Sequence, residues 1–291
     1  MADWDDIVSA RLFLAYSAGG KGKTTFALSG KSKKAYFEFD PGSLARAVPG
    51  LKAMGIKRDD VEVYKAEWPI EWDDITRLNT SMVGDSGKGA IQVVPELDGF
   101  IDARSLFRRA FAKAIQNPDI RDIIIDTETF LWDMEQLYLK EKFQKELKSV
   151  TDSRLKTLEF ESINNDMTQY HIGAKQAGKN LIWLCHESET WADNKPTGKF
   201  KPDGWKEAEG LADASLRFFI RDREPWAEIY KAGGTNMKMI GLEIRLPTLD
   251  KVNMILDAAA FLQSEDIELP EELSEESIMR KAKLAGFEVD E

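Results

Sequence analysis

The chain has 291 residues, of which 43% are hydrophobic and 31% charged, and its formal net charge is −11. It is long enough for one large domain or two small ones, and without a run of about 18 apolar residues it is not expected to enter a membrane. A single Cys and two His argue against an internal disulfide and a Cys/His zinc site, and the acidic balance argues against coating nucleic acid through a basic surface.

In chain order, short β-rich runs alternate with helical stretches, which is typical of a mostly parallel sheet with crossover helices. The chain starts with MADWDDI, which is acidic where a signal peptide is basic, so we expect a cytoplasmic protein. Strands are predicted at residues 12–16, 35–39, 61–64, 123–125, 181–185, 215–220, 227–231 and 242–246. Helices are predicted at residues 23–29, 103–116, 129–147, 158–177 and 251–262, and a long Gly-containing loop at residues 72–99.

The last three predicted strands have no long helix between them, which favours an antiparallel meander with a turn at residues 221–225. The sequence therefore predicts an α/β fold. We expect a mostly parallel twisted sheet flanked by helices, followed by an antiparallel C-terminal extension.

The most informative segment is RLFLAYSAGGKGKTTFALSG, residues 11–30, in which an apolar strand and a Gly-rich turn lead into a helix. This is the context of a phosphate-binding loop, whose backbone N–H groups surround phosphate oxygens. Lys23 is expected to reach the β and γ phosphates of ATP, and Thr24 to hold Mg²⁺. Ser17 stands where the pattern GxxxxGK[ST] has its first glycine, and a Lys-rich surface turn is the alternative. The predicted ATP-binding residues are Gly19, Gly20, Lys21, Gly22, Lys23, Thr24 and Thr25.

Two other predicted strands end in carboxylates, which a nucleotide hydrolase needs at the carboxyl edge of its sheet. The run DIIIDTETF puts Asp126 at the end of a buried strand, so Asp126 and Thr24 are predicted as the magnesium ligands. The strand in AYFEFDPG offers Asp40 to orient the attacking water, with a simple turn as the alternative. Glu128 is a weaker candidate for positioning water and otherwise caps the next helix.

A further apolar strand in NLIWLCHESE ends at His186. A polar side chain at this point is expected to bond the γ phosphate and to report its presence to the following loop. The alternative is a strand-end histidine with no such role. Cys185 is predicted to lie in the core.

In this order, these segments resemble the RecA-like P-loop ATPase core, and they are most similar to the small phage-encoded RecA-like ATPases that act as single-strand annealing proteins. The resemblance extends over about residues 12–246 and rests on SAGGKGKTT, AYFEFDPG, IIIDTET, GKNLIWLCHE and the region from KPDGWKE to RFFIRD. It implies Lys23 and Thr24 on the phosphates and Mg²⁺, Asp126 as the Walker B carboxylate, Asp40 at the catalytic acid position and His186 as the phosphate sensor.

The resemblance also implies DNA-binding loops after the sensor strand, where this chain has WADNKPTGKFKPDGWK, residues 191–206. Lysines there are interleaved with aromatic residues. Cations track phosphates while aromatic faces stack bases, which suits sequence-tolerant binding of single-stranded DNA, whereas a plain solvated loop is the alternative. The predicted DNA-binding residues are Lys195, Lys199, Phe200, Lys201, Trp205 and Lys206.

A homo-oligomer with ATP at the subunit contacts follows from the same resemblance. RecA-like proteins carry lysines that reach the neighbouring subunit's nucleotide, and Lys231 lies at the corresponding strand end. A cation supplied in trans makes hydrolysis depend on assembly. The alternative is an ordinary exposed lysine.

The C-terminal residues 264–291 contain ten acidic and three basic residues. We therefore predict a RecA-like ATPase domain at residues 1–263 and an acidic C-terminal tail with one short helix at residues 264–291. The tail is expected to restrict DNA access or to contact a replication or recombination partner. A purely solubilising tail is the alternative.

Together these features predict a Mg²⁺-dependent, DNA-dependent ATPase of phage recombination or single-strand annealing, located in the cytoplasm of a bacterial host if the chain is phage-encoded. One alternative is a nucleotide switch or helicase-loading partner that binds ATP without turning it over, which Ser17 favours. Another is a P-loop kinase acting on a small molecule, which requires an arginine-bearing lid that the sequence does not clearly provide.

Overall fold

The computed structural model describes residues 10–66, 97–147, 157–233, 238–270 and 273–287. In these ranges nine strands form a single sheet. The strands are β1 Leu12–Tyr16, β2 Lys34–Glu38, β3 Val61–Lys65, β4 Asp122–Asp126, β5 Asn180–Ala192, β6 Lys195–Asp203, β7 Ala214–Arg221, β8 Glu224–Ala232 and β9 Glu243–Arg245. The helices are α1 Lys23–Leu28, α2 Ser43–Ala53, α3 Phe100–Gln116, α4 Glu128–Leu147, α5 Thr157–Gln176, α6 Ala208–Leu211, α7 Leu249–Ser264 and α8 Glu275–Leu284.

The strand order is β3-β2-β4-β5-β1-β7-β8-β9, and β6 pairs with the far half of β5. The pairings from β3 through to β7 are all parallel, whereas β5–β6, β7–β8 and β8–β9 are antiparallel. The predicted α/β fold with a mostly parallel sheet and an antiparallel C-terminal extension is confirmed.

The central strands are buried because helices cover both faces of the sheet. All five residues of β1, β2 and β4 are buried, which explains why β4 reads as an unbroken isoleucine run and not as an alternating pattern. Alternate residues of β1 belong to two separate cores. Phe13 and Ala15 pack with α1, α2, α7 and α8, whereas Leu12, Leu14 and Tyr16 pack with α3, α4 and α5.

The prediction of a loop at residues 191–206 was wrong, because most of this segment forms the end of β5, a turn and the strand β6. Strand β5 continues past Cys185 to Ala192 and pairs with β6. Asp193 and Asn194 join the two strands with φ angles of 50° and 59°, the left-handed geometry of a tight two-residue hairpin turn. The polar composition of β6 concealed this strand. We refer to residues 186–203 as the β5–β6 hairpin.

Helix α2 was also missed, because its sequence SLARAVPGLKA contains Pro49 and Gly50, which disfavour helix. The helix begins after Gly42, whose φ of 81° lies in the left-handed region. A Cβ atom at Gly50 would lie 3.1 Å from Cγ2 of Thr25, so glycine at this position allows α2 to approach α1 closely.

The C-terminal segment contains helix α8, which begins with a capping box between Ser274 and Ser277. Ile278 and Ala282 of α8 are fully buried in the core that also holds α7. The described part of this segment is therefore docked on the body of the protein, and the division at residue 263 stays a prediction.

Most of the predicted 72–99 loop lies outside the described residues, which resume at residue 97. Among the helices of the described ranges, none combines the length and apolar character needed to cross a membrane.

Candidate nucleotide-binding site

The phosphate loop, residues 17–22, connects the buried strand β1 to helix α1. Gly20 and Gly22 have φ angles of 74° and 99°, which side chains other than glycine rarely adopt. A Cβ atom at Gly22 would also lie 3.3 Å from Cβ of Pro225. Two of the three predicted loop glycines are thus required by the backbone itself.

Lys23 is held inside this loop. Its side chain is buried, and Nζ donates to the carbonyl oxygen of Ser17 at 2.9 Å, to Oγ of Ser17 at 2.8 Å and to the carbonyl oxygen of Ala18 at 3.3 Å. Burial lowers the pKa of the Lys23 ammonium, and the charge of Asp126 opposes this effect. The present acceptors of this buried ammonium are neutral oxygens. A phosphate would stabilise the ammonium more, because hydrogen bonds between two ionised groups are stronger than those to neutral acceptors.

Asp126 and Thr24 meet beside the loop, as the magnesium prediction requires. Oδ2 of Asp126 accepts hydrogen bonds from Oγ1 of Thr24 at 2.8 Å and from the hydroxyl of Tyr36 at 2.6 Å, and the latter also contacts Oγ of Ser43 at 2.5 Å. Burial raises the pKa of the Asp126 carboxyl. A hydroxyl and a carboxylate oxygen are hard donors that suit Mg²⁺ completed by water and phosphate oxygens, so the residues present fit this ion.

The remaining predicted ATP-binding residues lie in the phosphate loop or in the first turn of α1. Thr25 is half-buried and faces Gly50 of α2. Lys21 is half-buried, and a Cβ atom at Gly19 would have no atom within 4 Å. Within the described ranges, no group of three or more His, Cys, Asp or Glu side chains is arranged to coordinate a metal ion.

Asp40 follows β2, and its backbone is hydrogen-bonded to Asp126 at the end of β4. Its N–H donates to the carbonyl oxygen of Asp126 at 3.0 Å, while its carboxylate accepts from Nη2 of Arg46 at 2.6 Å. Glu38 is buried and accepts from the backbone N–H of Leu44 at 3.2 Å. The structure therefore brings the backbone of Asp40 to the end of β4, while its carboxylate is paired with an arginine of α2.

His186 lies where β5 leaves the main sheet and becomes the hairpin. The preceding Cys185 pairs with Tyr16 of β1, whereas His186 pairs with Asp203 of β6. The His186 N–H donates to Oγ1 of Thr129 at 3.2 Å, and its ring packs against Phe130. His186 therefore lies between the end of β1 and the β5–β6 hairpin, which is a suitable place for a residue that reports bound phosphate to the hairpin. The sensing role stays a prediction.

Glu128 has no access to a reacting water. It is fully buried, and it accepts hydrogen bonds from the backbone N–H of Trp205 at 2.9 Å and from Sγ of Cys185 at 3.2 Å. Burial raises the pKa of Glu128 to about 8, so the carboxyl is mostly protonated at neutral pH. Its place is in the packing between α4 and the segment after β6.

We expect Gly204→Ala to destabilise this packing. A Cβ atom at Gly204 would overlap Oε2 of Glu128 and lie 2.9 Å from its Cδ, and a fully buried side chain has little room to move. The free energy of unfolding should fall by about 1–3 kcal/mol, measured by denaturant titration. Gly210→Ala is the matched control, because a Cβ atom there has no atom within 4 Å. Equal stability of the two variants would contradict this packing.

The side chain of Lys231 is held by backbone carbonyl oxygens of its own chain. Nζ donates to the carbonyl oxygens of Glu209, of Gly210 at 2.8 Å and of Ala212 at 3.2 Å, at the C-terminal end of α6. Lys231 pairs with Ser215, which in turn pairs with Leu14 in the middle of β1, so the backbone of Lys231 lies level with a point two residues before the end of β1. Its role in a neighbouring subunit stays a prediction.

The predicted DNA-binding residues divide into two groups. Lys195, Lys199, Lys201 and Lys206 are exposed, the first three on the β5–β6 hairpin. Trp205, however, is only 4% exposed, and its Nε1 donates to Oδ1 of Asn164 at 2.9 Å. The expectation that Trp205 stacks on bases is therefore corrected, since its ring packs among core aromatic residues.

Phe200 is half-buried and lies against an arginine that sequence reasoning missed. The guanidinium of Arg217 lies 4.4 Å from the centroid of the Phe200 ring, and its Nε donates to Oε2 of Glu187 at 3.1 Å. One signal was present in the sequence: Arg217 is a charged residue inside the otherwise apolar strand segment SLRFFI. Tyr36, which holds Asp126, was missed as well.

Comparison with known proteins gives a match to a family model and similarities to solved structures. A family model described as an AAA domain matches residues 9–243. No curated protein matches the sequence. Among solved structures, the RadB recombinase is 12% identical with a TM-score of 0.43, over 81% of this chain and 86% of that one. The flagellar accessory protein FlaH from Methanocaldococcus jannaschii is 11% identical with a TM-score of 0.37, over 77% of this chain and 80% of that one.

Proposed function

The chain belongs to the AAA-domain family, and from this premise we propose that it is a Mg²⁺-dependent ATPase that acts on single-stranded DNA. The observation that carries the proposal is the meeting of Lys23, Thr24 and Asp126 at the carboxyl ends of β1 and β4. Phosphate release from ATP, measured with and without single-stranded DNA, tests it.

In this proposal the loop residues exchange their internal bonds for bonds to the nucleotide. Lys23 leaves the oxygens of Ser17 and Ala18 for the β and γ phosphates. Thr24 and Asp126 would hold Mg²⁺, which would neutralise charge on the phosphate oxygens. The backbone N–H groups around Gly20 and Gly22 complete the cradle.

Two further roles belong to the proposal. Asp40 orients the attacking water, which requires its carboxylate to leave Arg46 or to share it. His186 contacts the γ phosphate from the point where β5 leaves the main sheet. Asp40 adjoins the site through its backbone hydrogen bond to the carbonyl oxygen of Asp126, and His186 follows Cys185, whose carbonyl oxygen accepts from the backbone N–H of Ser17 at 3.4 Å. That adjacency is what supports these assignments.

The β5–β6 hairpin is the proposed contact with single-stranded DNA. It projects from the sheet with Lys195, Lys199 and Lys201 exposed, and Trp191 on the same hairpin is 65% exposed. An exposed aromatic ring beside cations can stack a base while the cations follow the phosphates. Phage recombination or annealing, with the protein as a homo-oligomer in the bacterial cytoplasm, is the setting that we propose. The acidic segment after residue 263 is then available to a partner protein.

Replacing Lys195, Lys199 and Lys201 together by Gln should weaken single-strand binding and flatten its salt dependence. Each lost phosphate contact reduces the magnitude of the negative slope of log K against log salt by about 0.7. Fluorescence anisotropy with a labelled oligonucleotide over a range of salt concentrations measures both effects. The control replaces the exposed Lys52, Lys57 and Lys283, which removes the same charge elsewhere. If both triple variants lose the same affinity, the hairpin is not the DNA site.

A nucleotide switch that binds ATP without turnover is the second candidate. The observation in its favour is that Ser17 replaces the first loop glycine and holds the ammonium of Lys23 through both Oγ and the carbonyl oxygen. These bonds compete with phosphate for Lys23. A switch would bind ATP with Mg²⁺ yet release no phosphate, with or without DNA.

A further inference from the structure

Arg217 lies beside the mouth of the phosphate loop. Strand β7 is the parallel neighbour of β1, and Arg217 is the register partner of Tyr16, the last residue before the loop. On the other side of β1, Cys185 of β5 is also a partner of Tyr16, and Glu187 follows two residues later on the same face. The ion pair between Arg217 and Glu187 therefore spans the end of β1, where Ser17 opens the loop.

The pair is well shielded from solvent. The side chains of Arg217 and Glu187 are 27% and 12% exposed, against 45% and 37% for the Arg221–Glu243 pair at the C-terminal end of β7. The Phe200 ring covers the guanidinium at 4.4 Å. An ion pair in this setting holds its geometry better than an exposed pair does.

The negative charge of Glu187 also acts on the phosphate-binding lysine. Burial lowers the pKa of Lys23, and Glu187 is among the acids that oppose this effect, together with Asp126 and Asp40. Glu187 therefore contributes to the electrostatic field at the Lys23 ammonium, the group proposed to bind the γ phosphate. A carboxylate there repels a triphosphate, whereas the guanidinium that it holds attracts one.

We propose that Arg217 binds the γ phosphate and so distinguishes ATP from ADP, with Glu187 holding the guanidinium in place until a triphosphate competes for it. The proposal rests on the proposed nucleotide binding and adds a residue to it. A planar guanidinium suits phosphate oxygens and keeps its charge at every physiological pH. Since Phe200 belongs to the β5–β6 hairpin, the hairpin is in contact with the residue that makes this distinction.

Dissociation constants for ADP and for a non-hydrolysable ATP analogue, both with Mg²⁺, test the proposal in full-length protein. Arg217→Gln should weaken the ATP analogue by about tenfold or more, as expected for one charge-assisted contact, and leave ADP within about twofold. Glu187→Gln should act in the opposite direction, because it removes a competing charge, and should raise the preference for the triphosphate. Arg217→Lys should retain part of the preference.

The matched control is Arg221→Gln, on the same strand and also in an ion pair, with Glu243. It should leave the ATP-to-ADP ratio unchanged. Thermal unfolding of each variant shows whether it is folded. The inference is overturned if Arg217→Gln leaves the ratio unchanged, or if Arg217→Gln and Glu187→Gln weaken both nucleotides alike, as a purely structural pair would. A wild-type protein that binds neither nucleotide would instead contradict the proposed function, on which the inference rests.

Discussion

Lys23→Ala is expected to remove tight ATP binding. The ammonium of Lys23 is the buried cation inside the phosphate loop, and its three present partners are neutral oxygens that phosphate would replace. Each hydrogen bond to a charged group contributes about 1.5–3 kcal/mol, so losing the contacts to two phosphates should weaken binding by at least 100-fold. Titration with a fluorescent ATP analogue measures the change.

Lys31→Ala is the control for that experiment, because Lys31 is exposed and lies beyond the end of α1. Denaturant unfolding should show that the Lys23 variant still folds. Normal ATP affinity in a folded Lys23→Ala protein would show that residues 17–22 do not form a phosphate-binding loop.

Asp126→Asn should reduce turnover far more than nucleotide binding. The Asn side chain keeps the shape of Asp, and its amide oxygen can still accept from Thr24 and Tyr36. It lacks the charge that holds Mg²⁺, so metal positioning suffers while the phosphate cradle remains. We expect kcat to fall by about 100-fold or more, with affinity for ATP in the absence of Mg²⁺ within a few-fold of the wild type.

Asp122→Asn provides the matched control at the other end of β4. Asp122 is buried and accepts from Ser32 and Asn180, away from the phosphate loop. Its variant should lose stability and keep its kcat at a temperature where it is folded. A similar loss of kcat in both variants, or none in Asp126→Asn, would place the metal ligand elsewhere.

Local signals explain what the sequence could predict. The strands β1 and β4 are determined by their own apolar runs. The turn after β1 is determined by the glycines at residues 20 and 22. The parallel arrangement follows from the alternation of strands and helices. The meeting of Thr24 with Asp126 was predictable because a P-loop and a strand-end carboxylate share one edge of such a sheet.

Contacts between distant segments explain what the sequence could not predict. The aromatic ring of Trp205 was expected to be exposed because its neighbours are polar, yet it packs against the core rings of Trp183 and His171. Glu187 and Arg217 lie 30 residues apart in the sequence. They meet across the end of β1 because their strands, β5 and β7, are its two neighbours in the sheet. Lys231 finds the carbonyl oxygens of α6 through the register of β7 with β8.

Phosphate release from ATP by the wild-type protein tests the central claim most directly. It is measured with and without Mg²⁺ and with and without a single-stranded oligonucleotide. We expect release that requires Mg²⁺ and increases several-fold with DNA. ATP binding without release in any condition would contradict the ATPase and favour the nucleotide switch, and release that DNA does not change would contradict the action on single-stranded DNA.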